Sequence, residues 1–245
     1  MKPKTTANWT LLMRALHAAS ITSFLVLLYL AWFVAPDWSY SPDVTAPLTR
    51  KILFFHPASA WAAFAGYFIV FGASVTYLNE RDARMDAPAQ AAAEVAFLFN
   101  TIALLTGTFW GIQEWARTGE SSLATVYSEP KVLVVLVMWF SLAAYLLLRK
   151  LTEDEEKRRK LSAVFGVLGF ITVPLSFATS RVLQTSLHPD IAGPGKNPDA
   201  AVGDTVGAII GYSMLVFLLL TLSLYLERLR QLRIEDQLLT LEAQT

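Results

Sequence analysis

The chain has 245 residues, and its 20 basic and 20 acidic side chains leave no net charge. Hydrophobic residues make up 54% of the sequence and charged residues 16%, which indicates an integral membrane protein and excludes an ordinary soluble globule. The balanced charge gives no indication of nucleic-acid binding. The absence of cysteine excludes disulfides, thiolate metal sites and thiol catalysis within the chain.

Six charge-poor runs are each long enough to cross about 30 Å of hydrocarbon as a helix. They predict spans at residues 15–35, 52–77, 95–112, 132–148, 161–180 and 206–226. The short alternating segments of spanning strands are missing. Because the connections reach only about 20 residues, too few for a second folded unit, we expect an all-α polytopic protein with residues 1–245 in a single membrane domain.

The first span follows Lys2, Lys4 and Arg14, and a basic start of this kind also begins a secretory signal. The span is about 20 residues long, which is more than the usual hydrophobic region of a signal, and no small-x-small cleavage site follows it. We therefore expect it to be retained as a membrane helix.

Lysine and arginine are concentrated at one end of the spans. The N-terminal segment, the connections after the second and fourth spans and the C-terminal tail contain 14 of the 20 basic residues. Short basic connections usually stay in the cytoplasm. Both termini are therefore predicted to be cytoplasmic, with outer loops at residues 36–51, 113–131 and 181–205, in a protein of the cytoplasmic (inner) membrane.

Two of the three histidines occupy matching places at the predicted outer ends of spans. His56 lies about one turn inside the second span, and His188 lies in the third outer loop. A single histidine at an interface usually bonds to backbone or water, but two at the same depth favour axial ligation of a haem iron by both imidazoles. His17 lies near the opposite end and is predicted to be structural.

A haem also needs apolar contacts for its ring and cationic groups for its two propionates. Trp110 and Trp115, at the outer end of the third span, can contact the ring. Arg50, Lys51 and Arg181 can pair with the propionates. Each of these residues also has an ordinary role open to it, because tryptophans and cations mark the membrane interface in many proteins.

Two further features concern the last spans. Pro174 lacks a backbone N–H and predicts a kink in the fifth span. Leucines at near-helical spacing between Arg228 and Leu241 predict that the last helix continues into the cytoplasm. No repeat of fixed period supports a solenoid or an inverted-repeat transporter.

The sequence resembles the haem exporter protein C (CcmC) family of cytochrome c maturation. Lys51, His56 and Trp61 match a family histidine with a basic residue five before it and a tryptophan five after it, and Thr185–His188 matches a Thr-x-x-His element in the last outer loop. Residues 106–111 resemble the start of the family's tryptophan-rich loop. This chain departs from the family where that loop continues, because residues 114–122 contain a single tryptophan.

The resemblance implies a protein that takes b-type haem without a covalent bond at its outer, periplasmic face, between His56 and His188. It implies delivery of that haem to the chaperone CcmE. It further implies an ATP-binding cassette pair, CcmA and CcmB, and a small subunit, CcmD, as partners. The chain has no Gly-x-x-x-x-Gly-Lys phosphate loop of its own and is expected to position haem without acting as an enzyme.

Two other functions remain open from the sequence. A b-type electron-transfer subunit could use the same two histidines, although such ligands usually face each other inside the bundle and no second electron site is evident. A small-solute permease is less favoured, because the spans contain almost no ionisable groups away from their ends.

Overall fold

A computed structural model describes residues 4–36, 51–115, 122–182 and 204–242, and within these ranges the regular structure is entirely helical. The helices are α1 (Lys4–Tyr29, continued by a π-helical turn at Leu30–Val34), α2 (His56–Glu80), α3 (Asp86–Glu114, after a 3-10 turn at Ala83–Met85), α4 (Leu123–Ser128), α5 (Pro130–Leu151), α6 (Glu155–Phe170), α7 (Thr172–Val182) and α8 (Asp204–Glu242). Six segments of this described part are long and apolar enough to cross a membrane, α6 and α7 together forming one of them. The predicted all-α, six-span fold is confirmed.

The connection between α2 and α3 is a tight turn. Arg81 has a positive φ of 56° and closes α2 with a hydrogen bond from its N–H to the carbonyl of Tyr77. The carboxylate of Asp82 then accepts a hydrogen bond from the N–H of Arg84 and begins the 3-10 turn. So short a connection makes α2 and α3 antiparallel neighbours.

Helix α2 lies at the centre of the bundle and packs against α3, α6 and α8, whereas α1 packs against α8 at the outside. Small residues let α2 and α3 approach closely. A Cβ atom added to Gly66 would lie only 2.6 Å from Cβ of Ala96. Close backbone approach at small residues is the usual way in which helices associate within a membrane.

The fifth span is broken where the proline predicts a kink. Helix α6 ends at Phe170 and α7 begins at Thr172, so that Ile171 separates them. Pro174 has no N–H to donate to the carbonyl of Phe170, and its ring crowds that carbonyl. The predicted kink is confirmed, and it lies one turn before the proline.

Helix α8 continues well past its apolar segment. Its 39 residues form one uninterrupted helix, about 58 Å long at 1.5 Å per residue, nearly twice the thickness of the hydrocarbon. Leu229 and Leu232 are buried against the bundle, whereas Leu238 and Leu239 are exposed. The predicted helical extension of the last span is confirmed, and its location in the cytoplasm stays a prediction.

Candidate functional site

His56 is the first residue of α2, and the local sequence places it there. A turn over residues 53–55 leads into the helix, with hydrogen bonds from the N–H of Phe54 to the carbonyl of Lys51 and from Phe55 to Ile52. Pro57 follows within the first helical turn, where its missing N–H costs no intrahelical hydrogen bond. The imidazole therefore belongs to the N-terminal end of α2, where the span meets the connection before it.

The imidazole of His56 is hydrogen-bonded to α3. Its Nδ1 atom lies 3.0 Å from the carbonyl oxygen of Ala103 and 3.2 Å from Oγ1 of Thr106. A carbonyl oxygen can only accept, so Nδ1 carries the proton and donates it. The hydroxyl of Thr106 donates to the carbonyl of Ile102 at 2.7 Å, which leaves its oxygen able to accept from Nδ1 as well.

These hydrogen bonds fix the tautomer of His56. In the neutral ring with a proton on Nδ1, the lone pair is on Nε2, which is the nitrogen that can ligate a metal. A second hydrogen bond of this kind orients most metal-binding histidines in proteins and raises their basicity. The residues present are therefore suited to an axial ligand of a haem iron.

The backbone of α3 also fits the ring sterically. A Cβ atom added to Gly107 would lie 2.7 Å from Cε1, 3.2 Å from Nδ1 and 3.6 Å from Nε2 of His56. The space taken by the imidazole thus exists because residue 107 has no side chain. Ala103, Thr106 and Gly107 were not singled out as contacts of His56 from the sequence.

The two predicted tryptophans come together one turn further along α3. The rings of Trp110 and Trp115 meet edge to face, with centroids 6.1 Å apart and planes at 82°. Trp115 is buried, and its ring and Val126 of α4 both border Gly111. Trp110 is only half-buried and lies three residues after Gly107, on the same side of the helix.

The predicted cationic residues are only partly within the described ranges. Lys51 is half-buried just before the turn that leads into His56. His188 and Arg50 lie outside the described residues, and the side chain of Arg181, near the end of α7, is not described. The predicted pairing of His56 with His188 and the cationic roles of Arg50 and Arg181 therefore remain predictions.

The structure adds one cation to those predicted from the sequence. Lys131, in the first turn of α5, is close enough to His56 for its charge to act on the imidazole. In the sequence it was only a basic residue of the second outer loop. Its position within electrostatic range of His56 depends on the packing of α5 against α3. Within the described residues, no group of three or more histidine, cysteine or carboxylate side chains is arranged to hold a bare metal ion.

Comparison with known proteins identifies the family. The family model described as cytochrome C assembly protein matches residues 4–188, a region that includes both His56 and His188. The chain is 29% identical over 160 residues to the heme exporter protein C of Bradyrhizobium diazoefficiens, which covers 65% of this chain and 56% of that protein. It is 27% identical over 206 residues to the heme exporter protein C of Paracoccus denitrificans, and the match covers 82% of this chain and 78% of that protein.

A third relative, the heme exporter protein C of Rhodobacter capsulatus, is 25% identical over 140 residues, which cover 57% of this chain and 55% of that protein. The matched regions thus span little more than half of two of these relatives and most of the third. The predicted resemblance is confirmed. The chain belongs to the cytochrome c assembly protein family, as a CcmC-type member.

Proposed function

We propose that the protein binds one b-type haem, without a covalent bond, through His56 and His188 at its outer face and delivers it to the haem chaperone CcmE. The observation that supports this proposal most directly is the geometry of His56. Its Nδ1 donates to the carbonyl of Ala103, which assigns the lone pair to Nε2. The name of three relatives, heme exporter protein C, identifies haem as the cargo of those proteins.

The surroundings of His56 suit the remaining parts of a haem. Trp110 lies one turn beyond Gly107 and is half-exposed, so its indole can contact the ring. The buried ring of Trp115 supports Trp110 from the side. Lys51 precedes His56 by five residues, and the charge of Lys131 acts on its imidazole. With Arg50 and Arg181 they are the candidates for pairing with the propionates.

Non-covalent ligation by two neutral imidazoles suits a carrier that must release its cargo. The chain's own residues orient the haem, hold it at the membrane surface and change no bond in it. The distribution of lysine and arginine supports an orientation with both termini in the cytoplasm of the cell and with the site at the periplasmic face of the inner membrane. CcmA, CcmB and CcmD are the proposed partners in the maturation system.

The site is tested by absorption spectra of the protein purified from haem-replete membranes, oxidised and reduced. We expect a six-coordinate spectrum with two imidazole ligands in the wild type. His56→Ala and His188→Ala should each lose or alter it while inserting normally into the membrane. His17→Ala removes the same side chain near the other end of the bundle and should leave the spectrum unchanged. Normal haem occupancy in both single variants of the site would overturn the proposal.

Delivery is tested separately by adding purified CcmE, free of haem, to the loaded protein. We expect haem absorbance to move from the membrane protein to the chaperone, and the transfer to require a loaded site. Stable retention of the haem in the presence of an excess of chaperone would contradict delivery. Retention together with rapid oxidation and reduction by external redox mediators would instead favour the b-type electron-transfer alternative.

A further inference from the structure

A second concave site lies at the end of the bundle opposite to His56. It is a cavity of about 820 Å³ between the start of α3, the end of α5, the start of α6 and the extended part of α8. Asp86, on its wall, is separated from Ala103 by about 25 Å along α3. Seven of the lining side chains are arginine or lysine and five are aspartate or glutamate. The proposed haem function makes no use of this cavity.

Four of the five acidic side chains that line the cavity are already engaged by arginines. Arg149 donates to both carboxylate oxygens of Asp86, at 2.6 and 2.7 Å, and to the amide oxygen of Gln90 at 2.7 Å. Arg228 donates to both carboxylate oxygens of Glu94, at 2.6 and 3.2 Å. The internal acids therefore neutralise these two guanidinium groups and leave the excess positive charge on the other cations.

Some donors on the cavity wall lack an acceptor. The side chain of Arg149 is only 7% exposed, and its Nε atom has no hydrogen-bond partner among the described residues. The buried Nε atom of Arg159 is in the same situation. A buried N–H without an acceptor costs free energy, and buried N–H groups without a hydrogen bond are rare in native proteins. Two guanidinium groups with unsatisfied donors therefore lie at the cavity wall, and such a wall favours an anionic occupant.

Three more cations line the cavity without a hydrogen bond to a carboxylate. Within the described part of the chain, Lys150, Arg158 and Arg233 donate no hydrogen bond to an acidic side chain, the nearest approach being 3.8 Å between Arg158 and Glu155. The forked guanidinium groups of arginine match the oxygens of a phosphate group. The charge of the cavity therefore favours a phosphate oxyanion over a cationic ligand.

We propose that this cavity binds the phosphate group of an anionic phospholipid. It lies at the ends of four candidate membrane-spanning segments, where a bilayer would bring its lipid headgroups. Its wall also contains Leu146, Leu232 and Leu239, and the last of these is 66% exposed. A basic pocket beside an apolar strip fits an amphiphile, because the acyl chain can contact the leucines while the phosphate binds the cations. A free phosphate ion would gain nothing from the leucines.

The test uses the whole chain in a neutral detergent and titrates it with fluorescent phosphatidylglycerol. One variant, Arg158→Gln with Arg233→Gln, removes two lining cations that are not hydrogen-bonded to carboxylates. The matched control, Lys157→Gln with Lys160→Gln, removes two cations from α6 that do not line the cavity. Unfolding midpoints without lipid show whether both double variants are folded. If Arg158→Gln with Arg233→Gln does not fold, the single variant Arg233→Gln, in the exposed part of α8, replaces it in the titration.

We expect the dissociation constant to rise about 20-fold in the first variant and to stay within about twofold in the control. Phosphatidylcholine should bind weakly to all three proteins. Equal weakening in both double variants would mean that only net charge matters and would overturn the site. Displacement of the lipid by an equal concentration of inorganic phosphate would overturn the assignment to a lipid, since the acyl chain would then contribute nothing.

Discussion

The imidazole of His56 lies directly against the α-carbon of Gly107, with no room between them for a methyl group. The two residues are 51 positions apart in the chain and come from two antiparallel helices, α2 and α3. The hydrogen bond to Ala103 holds the same ring from one turn earlier on α3. The carbonyl of Ala103 thus accepts a hydrogen bond from the ring, and the backbone of Gly107 contacts another side of it. Each of these two contacts can be changed separately by mutation.

Gly107→Ala should displace the histidine without unfolding the protein. The new Cβ atom would lie 2.7 Å from Cε1, so the ring must turn away and weaken its bond to Ala103. We expect haem retention to fall about tenfold or more, since supporting contacts of a metal ligand are worth about 10–100-fold in affinity. Retention after gel filtration is the measurement. Gly72→Ala, where nothing lies within 4 Å of the new atom, is the control and should retain haem normally.

Thr106→Val should test the hydroxyl that shares the proton on Nδ1. Valine keeps the shape of threonine and removes the acceptor, but the carbonyl of Ala103 remains. We therefore expect haem retention to fall only about tenfold, the smallest loss typical of removing a supporting contact of a metal ligand. The reduction potential of the bound haem should also change, because the basicity of the ligand changes. Thr106→Ser restores the hydroxyl and should restore both properties. An unchanged potential in Thr106→Val would show that Ala103 alone orients the ring.

The six spans and the break near Pro174 could be predicted because each has a strong local cause. Long apolar runs indicate spanning helices, and a proline inside one removes a hydrogen bond. The full extent of the helices could not be predicted in the same way. Helix α3 begins at Asp86, well before the apolar run at residue 95, because the intervening segment is rich in alanine. Alanine favours a helix strongly but adds little hydrophobicity.

The candidate site could be predicted only in part, for a related reason. His56 was found because histidine is rare in this chain and chemically distinctive. Its partners on α3 are an alanine carbonyl, a threonine and a glycine, none of which is distinctive in a membrane helix. Periodicity shows which face of a helix packs, but not which turn of one helix lies beside which turn of another. The contact with Gly107 therefore required the structure.

Gly66→Ala should destabilise the bundle at the α2–α3 interface. A Cβ atom there would lie 2.6 Å from Cβ of Ala96 and 3.1 Å from the carbonyl oxygen of Ala92, so one helix must move. We expect a loss of about 1–3 kcal/mol, the usual cost of overpacking, read as a lower unfolding midpoint in detergent. Gly72→Ala makes the same change on the same helix in open space and should not lower the midpoint, because alanine is the better helix former.

Arg149→Met should be among the most destabilising single changes at the charged end of the bundle. It leaves the carboxylate of Asp86 in a largely enclosed site without the guanidinium that donates to both of its oxygens. Removing one partner of a buried ion pair costs about 3–5 kcal/mol, whereas replacing both partners with apolar residues is often close to neutral. Unfolding midpoints without added lipid should therefore fall steeply in Arg149→Met and recover in the double variant Arg149→Met with Asp86→Leu.

The same substitution at an exposed ion pair supplies the control for Arg149→Met. Arg230 donates to Glu227 on the surface of α8, and its side chain is 47% exposed, so Arg230→Met should leave the midpoint nearly unchanged. Equal losses at both arginines would mean that burial of the pair is not the cause. A double variant no more stable than Arg149→Met would show that Asp86 has a stabilising role besides neutralising Arg149. Arg159 lies 4.0 Å from the same carboxylate and would be the next residue to test.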